Sequence, residues 1–504
     1  MSNSRPTGSS AVAWWAWHIS TFATISYVAL ANISVADYSP DEWVYSSCGY
    51  QLVTSSKFCN AGHPPLTKIW FGVWEYLFGD TIRVARVAAG LVAIATAVLI
   101  YLLVRRVLDW RWGLVGAALW GLTPQAGGTG NVTDLVVRIS RYALLEPLLC
   151  FFVVLAIYAG WRWRQEERSR WAALTAFAAV AAALSKELGI VAAPVLVAVP
   201  AAACWWGHRS RVKRDVGALA GGALSAVIAT FAVFGPIGGA TNVLSFLRAL
   251  PKGGGVVAHS VLNGRLVDPA PWWLGLRYMQ LGMSTALIVV VVVGVAFGLH
   301  SARTRFLVVY CLSVSTVMIV ALIVSRREID FYWIAWEPPL LIAATVGLGD
   351  AVLDRWRRWA VWPALAVVTV LMVLTVIDVA TLSPGPYHRA AHEVRCTSPC
   401  VVLSLGRQFL PNLYGLNSVV GVSGGTQSII RGAGSRVVIP MGTLTSTQRL
   451  ARYVFVDTSA VSYLLVKSRM PAALTRMGQL GYRRLATYET LSVYELEPAT
   501  RPSR

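Results

Sequence analysis

The sequence predicts a mainly α, polytopic membrane bundle of about eleven spans, followed by a small extracytoplasmic α/β domain at the C-terminus. Three observations carry that expectation. The 504 residues are 56% hydrophobic and only 13% charged, against roughly 25% charged residues in soluble domains. Many apolar stretches approach the roughly 20 residues that a helix needs to cross a bilayer. The net charge of +20 is gathered in short loops between those stretches, as the positive-inside rule expects. No basic stripe falls on a soluble region, so nucleic acid is not an expected partner.

In chain order the expected spans are residues 11–36, 84–104, 113–124, 143–161, 171–185, 189–206, 216–235, 279–299, 306–325, 331–349 and 359–380. The first is too long for a signal core. Asp41 and Glu42 follow it instead of a small-residue cleavage site, so it reads as a retained span. The loops after the even-numbered spans are Arg-rich: "RRVLDWRW", "RWRQEERSR", "HRSRVKR", "HSARTR" and "DRWRRW". These are expected inside. The loops 37–83, 125–142, 236–278 and "SRREID" then face outside by parity. The membrane unit is residues 1–382, with 37–83 as its catalytic outer loop, and residues 383–504 form the second unit. "SPGPYHRAAHEVRC" reads as a linker into it. Short β-rich runs follow: "CVVLSL", "SVVGVSG", "RVVIPM", "RYVFVDT", "YLLVKS", "RRLATYE" and "SVYELE". Two helical patterns, "TSTQRLAR" and "PAALTRMGQLG", fall among them.

Of the seven cysteines, Cys150, Cys204 and Cys311 lie within spans and read as buried apolar residues. Cys48, Cys59, Cys396 and Cys400 are all assigned outside. Disulfides Cys48–Cys59 and Cys396–Cys400 are the expected pairing, although sequence does not fix connectivity. His388, His392, Cys396 and Cys400 recur every four residues, but Pro399 interrupts a helix there. Four ligands on one straight stripe also do not surround a tetrahedral ion, so no metal site is expected.

Two adjacent carboxylates, Asp41 and Glu42, stand where the first span ends. Other charged groups are assigned to the same face. They are His63 and Lys68 in "HPPLTK", Arg138 and Arg141 in "RISRYALLEPLLCFF", Lys186 in "LSKELG", and Arg326 and Arg327 in "SRREIDFYW". Carboxylates beside cations at headgroup level suit a lipid-linked phosphate. The cations hold the phosphate, which is costly to leave unpaired near hydrocarbon. A carboxylate then takes the proton of an attacking hydroxyl, and the cations stabilise the departing phosphate. No Gly-rich phosphate loop follows a strand, in keeping with a donor delivered from the bilayer.

These residues also carry a family resemblance. "PDEWVY" followed by "HPPLTK" resembles the first-loop pattern of the protein O-mannosyltransferases. "SRYALLEPLLCFF" and "LSKELGI" are similar to later segments of that family. It belongs to the C superfamily of membrane glycosyltransferases, together with the bacterial aminoarabinose transferases. The resemblance covers about the first 200 residues and implies a polyprenyl-phosphate sugar donor and a protein acceptor. It implies that Asp41 is the base with Glu42 beside it, and that Arg141 meets the donor phosphate. It places Lys68, Lys186, Arg326 and Arg327 with the phosphate, and His63, Arg138 and Glu146 with the substrates. No cofactor is required, and a divalent metal is compatible with the site but not demanded. The chain departs from the pattern at Val44, where the family has His or Arg, and at Glu146, where it has Asp. The inserted sugar-binding domain is absent, and the tail is more like that of the aminoarabinose branch. A glycan or lipid acceptor therefore stands as the alternative.

Blander readings exist for each residue. Asp41 caps a helix starting near Trp43, His63 opens one ahead of two prolines, and Arg141 snorkels. The order of the motifs favours catalysis. A lipid-sugar transporter would need ionisable residues at mid-membrane on facing helices, whereas here the charges avoid the span centres. A structural assembly protein is the third reading. The expectation is an inverting transferase of the plasma membrane, or the equivalent endomembrane.

Overall fold

The computed structural model describes residues 9–35, 40–55, 63–125, 139–206, 211–249, 260–262, 265–267, 269–325, 332–352, 358–394, 401–405, 417–422, 439–440, 451–458, 470–479 and 481–496. The first half holds α1 (Ser9–Leu30), α2 (Pro40–Ser55), α3 (Leu66–Phe78), α4 (Ile82–Val107), α5 (Trp110–Leu122), α6 (Glu146–Glu166), α7 (Ser169–Ser185), α8 (Glu187–Trp205) and α9 (Val212–Ala249). A 3-10 turn, Ile139–Arg141, precedes α6. The hairpin strands β1 (Ser260–Leu262) and β2 (Arg265–Val267) follow. Then come α10 (Leu274–Met283), α11 (Thr285–His300), α12 (Arg305–Ser325), α13 (Glu337–Ala351) and α14 (Arg358–Ala380).

All eleven expected spans fall on helices, but not on eleven helices of spanning length. Among the described residues α4, α6, α8, α12 and residues 212–232 of α9 and 361–380 of α14 are long and apolar enough to cross a membrane, six in all. α5, α7 and α13 have 13, 17 and 15 residues. The expected span 279–299 is broken, because α10 and α11 meet at 103°. The break is at Ser284, whose φ of 75° ends α10. Its hydroxyl then accepts from the Leu287 N–H and caps α11. With that pair taken as one span the count is seven.

Local chemistry explains the boundaries. Thr81 caps α4 by accepting from the Val84 N–H, and Asp109 caps α5 through the N–H groups of Arg111 and Trp112. Arg105 and Arg106 close the last turn of α4, where cations suit the helix dipole. Pro200 lies inside α8 and has no N–H to give the Leu196 carbonyl. Tyr310 on α12 supplies the missing donor, its hydroxyl reaching that carbonyl at 2.5 Å. One apolar core runs through the bundle, with Ile100, Trp120, Val153, Leu196, Tyr310 and Leu341 all inaccessible to solvent.

Residues 386–393, expected as linker, are instead a helix, α15 (Pro386–Glu393). It packs on the C-terminal sheet. The Tyr387 hydroxyl donates to Asp457 at 3.0 Å, and Tyr387 and Ala390 are buried. The sheet has β3 (Val401–Leu405), β4 (Asn417–Val422), β5 (Ile439–Pro440), β6 (Ala451–Asp457), β7 (Tyr482–Tyr488) and β8 (Leu491–Leu496), with α16 (Met470–Gln479) before β7. Its order is β5-β4-β3-β6-β8-β7. β3 pairs in parallel with β4 and β6, and β8 runs antiparallel to β6 and β7. Six of the seven expected strands are present. "YLLVKS" and most of "TSTQRLAR" lie outside the described residues.

Candidate active site

The α2–α3 hairpin sits at one end of the bundle, where both helices pack on the ends of longer ones. Its two helices touch backbone to backbone, because each has a glycine at the crossing. A Cβ on Gly49 would lie 2.1 Å from the Lys68 carbonyl oxygen, and one on Gly72 would lie 2.2 Å from that of Gly49. Cys48 beside this crossing is disulfide-bonded. The other three outer cysteines, Cys59, Cys396 and Cys400, lie outside the described residues, while Cys150, Cys204 and Cys311 are free.

The two adjacent carboxylates have separate fates. α2 begins at Pro40, so Asp41 stands inside its first turn and is not the cap of a helix starting at Trp43. Glu42 is fully buried and occupied on both oxygens. Arg86 of α4 holds it from two nitrogens at 2.8 and 2.7 Å, and the Ala143 N–H donates to Oε1 at 2.8 Å. Arg86 also bonds the Ile33 carbonyl and lies 4.5 Å from the Tyr142 ring centre. Glu42 thus ties α2, α4 and the segment before α6 together. Asp41 is half-buried, and among the described residues none hydrogen-bonds its carboxylate. Dense surroundings still raise its pKa above the usual carboxylate value, while His63 and Lys186 pull it down and Glu42 adds to the rise.

The segment carrying His63 and Lys68 is stitched to the turn between α7 and α8. Thr67 donates its hydroxyl to the Ser185 carbonyl at 3.1 Å, and His63 Nδ1 meets Glu187 Oε1 at 2.5 Å. Lys68 is buried and donates to the His63 carbonyl at 2.9 Å. Burial pulls its pKa down to about 7, with Glu187 opposing. Lys186 is paired with Glu146 at the start of α6, and its ammonium lies 3.8 Å from the Tyr332 ring centre. Burial lowers it too, and Glu187 and Asp41 pull it back up. Tyr45, on the same helix as Asp41, is pushed well above its usual pKa by burial and stays a neutral hydroxyl.

Arg141 ends the 3-10 turn and is 2% exposed. One terminal nitrogen donates to the Ala31 carbonyl. Nε and the other terminal nitrogen have no hydrogen-bond partner among the described residues. Burial pulls the guanidinium down to about 10, and Arg86 contributes. Two buried N–H donors of a cation, left open, form a ready site for an oxyanion.

Residues 62–234 match the family model of dolichyl-phosphate-mannose-protein mannosyltransferases. The full chain is similar in structure to ArnT from Cupriavidus metallidurans bound to undecaprenyl phosphate, with a TM-score of 0.60 at 15% identity over 98% of this chain and 100% of that one. The likeness to ArnT is one of fold, and the family match is carried by residues 62–234. The apo form of the same ArnT gives a TM-score of 0.59 at 16% identity, covering 97% of this chain and 99% of that one. No curated protein matches by sequence.

At one end of the bundle Asp41, His63, Lys68, Lys186 and Glu146 gather, with Glu42 and Arg141 beside them. Arg138, Arg326 and Arg327 lie outside the described residues. Val44 packs against the core. Sequence reasoning missed Glu187 and Arg86. Glu187 follows Lys186 directly and had only that adjacency to mark it. Arg86 did carry a signal: it is a cation inside an apolar helix, one turn beyond Arg83, and such a position is functional by default.

Proposed function

We propose that the chain transfers a sugar, with inversion, from a polyprenyl-phosphate donor to an acceptor hydroxyl. The reaction follows from the groups assembled. Asp41 takes the proton of the hydroxyl as its oxygen attacks the anomeric carbon. The bond from that carbon to the phosphate oxygen breaks, and the electron pair leaves with the phosphate. Arg141 offers its two open N–H donors to that phosphate, and Lys68 and Lys186 add positive charge. Glu42 acts through Arg86 and the Ala143 N–H, holding Asp41 in place, and Glu187 orients His63.

The observation that carries this reading is the division between the two carboxylates. Glu42 is occupied on both oxygens, while its half-buried neighbour Asp41 has no hydrogen-bond partner for its carboxylate among the described residues. No resident cofactor belongs to this reading. A divalent ion would compete with the cations that already hold Glu42, Glu146 and Glu187. The loop charges favour a plasma-membrane protein, or its endomembrane equivalent, with the C-terminal domain extracytoplasmic.

A protein hydroxyl is the first acceptor, with mannose-type donors, because the matching family model is that of the protein mannosyltransferases. A glycan or lipid acceptor is the second. It draws on the likeness to ArnT, which covers 98% of the chain where the family match stops at residue 234. The test is transfer from a short-chain polyprenyl-phosphate sugar by purified protein, offered peptide, glycan and lipid acceptors in parallel. Asp41→Asn should slow transfer by about 10²–10⁴ while leaving donor binding intact. Transfer at the wild-type rate by Asp41→Asn would remove Asp41 from the mechanism.

A further inference from the structure

Three buried polar side chains from distant parts of the chain form one string behind Arg141. Gln125, just past the end of α5, donates from Nε2 to Glu337 Oε2 at 2.7 Å. The Ser140 hydroxyl donates to Gln125 Oε1 at 2.7 Å. All three side chains are at most 1% exposed. The direction of the string is fixed by its amide. The Gln125 amide nitrogen can only donate, so it faces the carboxyl oxygen of Glu337, and the amide oxygen on its other side accepts from Ser140. Glu337 is the first residue of α13, where the helix dipole favours a negative charge.

Ser140 is the middle residue of the 3-10 turn that ends on Arg141. That turn packs against α4, α6 and α1, but three residues are too short to fix the angle of a guanidinium by packing alone. On one side it is held by the Arg141 bond to the Ala31 carbonyl. On the other, Ser140 is held by the string from α5 and α13. We infer that Glu337, Gln125 and Ser140 are positioning residues that aim the open Nε and terminal N–H of Arg141 at the donor phosphate. This rests on the phosphate role proposed above for Arg141. A buried polar string in an otherwise apolar bundle is expensive unless fully satisfied. A role in packing alone would be served as well by apolar side chains. Holding one guanidinium at a fixed angle needs directional bonds.

Binding of short-chain polyprenyl phosphate, compared with the uncharged polyprenol, tests the inference in a double-mutant cycle. Ser140→Ala and Gln125→Leu should each weaken binding of the phosphate by roughly two- to tenfold, the range expected for one lost buried hydrogen bond. Neither should change binding of the polyprenol. Glu337→Gln, which still offers Gln125 an acceptor, should keep most of the affinity. In an Arg141→Ala background, Ser140→Ala should have no further effect, because it acts only through Arg141. Undiminished loss in that background, or equal loss for polyprenol, would show a general packing role and overturn the inference. Should Gln125→Leu fail to fold, Ser140→Ala alone still closes the cycle. If Arg141→Ala leaves phosphate binding unchanged, the phosphate role of Arg141 fails first and takes the positioning role with it. That outcome is distinct from an additive cycle.

Discussion

At the scale of single residues, Asp41 and Glu42 are chemically alike and adjacent, yet their neighbours make them different. Glu42 neutralises Arg86 in a buried bidentate pair. Removing one partner of such a pair strands the other charge, at a cost of about 3–5 kcal/mol. Glu42→Gln should therefore lower the thermal unfolding temperature of the detergent-solubilised protein. Asp41→Asn should leave it nearly unchanged while transfer collapses. Equal melting of both variants would show that Glu42 anchors nothing. The titrating groups also give a pH profile. As the proposed base, Asp41 has to be deprotonated, so transfer should fall as pH drops through its raised pKa. Lys68, with a pKa pulled down to about 7, loses its charge as pH rises through that value, so donor affinity should weaken above it. Lys68→Met should bind donor more weakly at pH 6, a pH below that value, and should show a shallower alkaline decline, the remainder belonging to Lys186, whose pKa is also pulled down to about 7. A decline as steep in Lys68→Met as in the wild type must come from another group.

At the scale of elements, the α2–α3 hairpin has two dependences that single-site chemistry does not reveal. One is steric. The Gly49–Gly72 crossing leaves no space for a Cβ, with backbone atoms 2.1 and 2.2 Å from where one would be. Gly72→Ala should force the helices apart and displace Asp41 relative to His63, lowering transfer by tenfold or more, since small displacements of catalytic groups can cost about 10². Wild-type transfer by Gly72→Ala would show that the crossing has slack. The other is electrostatic. Ser46 of α2 donates to the buried Glu75 of α3. Burial raises Glu75 from 4.5 to about 8, Asp80 adding to the rise and the Ser46 bond opposing it. The folded hairpin thus prefers the protonated acid. Its contribution is full below pH 4.5 and is lost as pH rises through about 8. Melting temperature followed from pH 5 to pH 9 should fall in the wild type and flatten in Glu75→Gln.

At the scale of the whole molecule, the helices are joined by buried bonds that compensate local defects. Pro200 leaves the Leu196 carbonyl without its helical donor, and Tyr310 from α12 restores it. Tyr310→Phe keeps the ring and orphans the carbonyl, which should destabilise the bundle by about 1–3 kcal/mol. Unchanged stability would mean that another donor reaches the carbonyl. The same logic joins α1 to α14, where Asn32 donates to the Val379 carbonyl at 2.8 Å. It also joins the C-terminal sheet to α15 through Tyr387 and Asp457. That contact is why the segment read as a linker is ordered as a helix.

The sequence by itself determined the helix order, the turn at Lys186 between α7 and α8, and six of the strands in the C-terminal sheet. Hydropathy, capping and turn residues act over a few neighbours, and those features are local. The break at Ser284 escaped because it rests on one backbone angle, to which an apolar run on either side gives no clue. The pairings lay beyond reach for a different reason. Glu42 meets Arg86 across 44 positions, His63 meets Glu187 across 124, and Gln125 meets Glu337 across 212. A charge is costly anywhere in an apolar interior, so the sequence can say only that each must find a partner. Which partner it finds, and therefore which carboxylate is left uncommitted, depends on how the helices pack. Only the tertiary structure decided that.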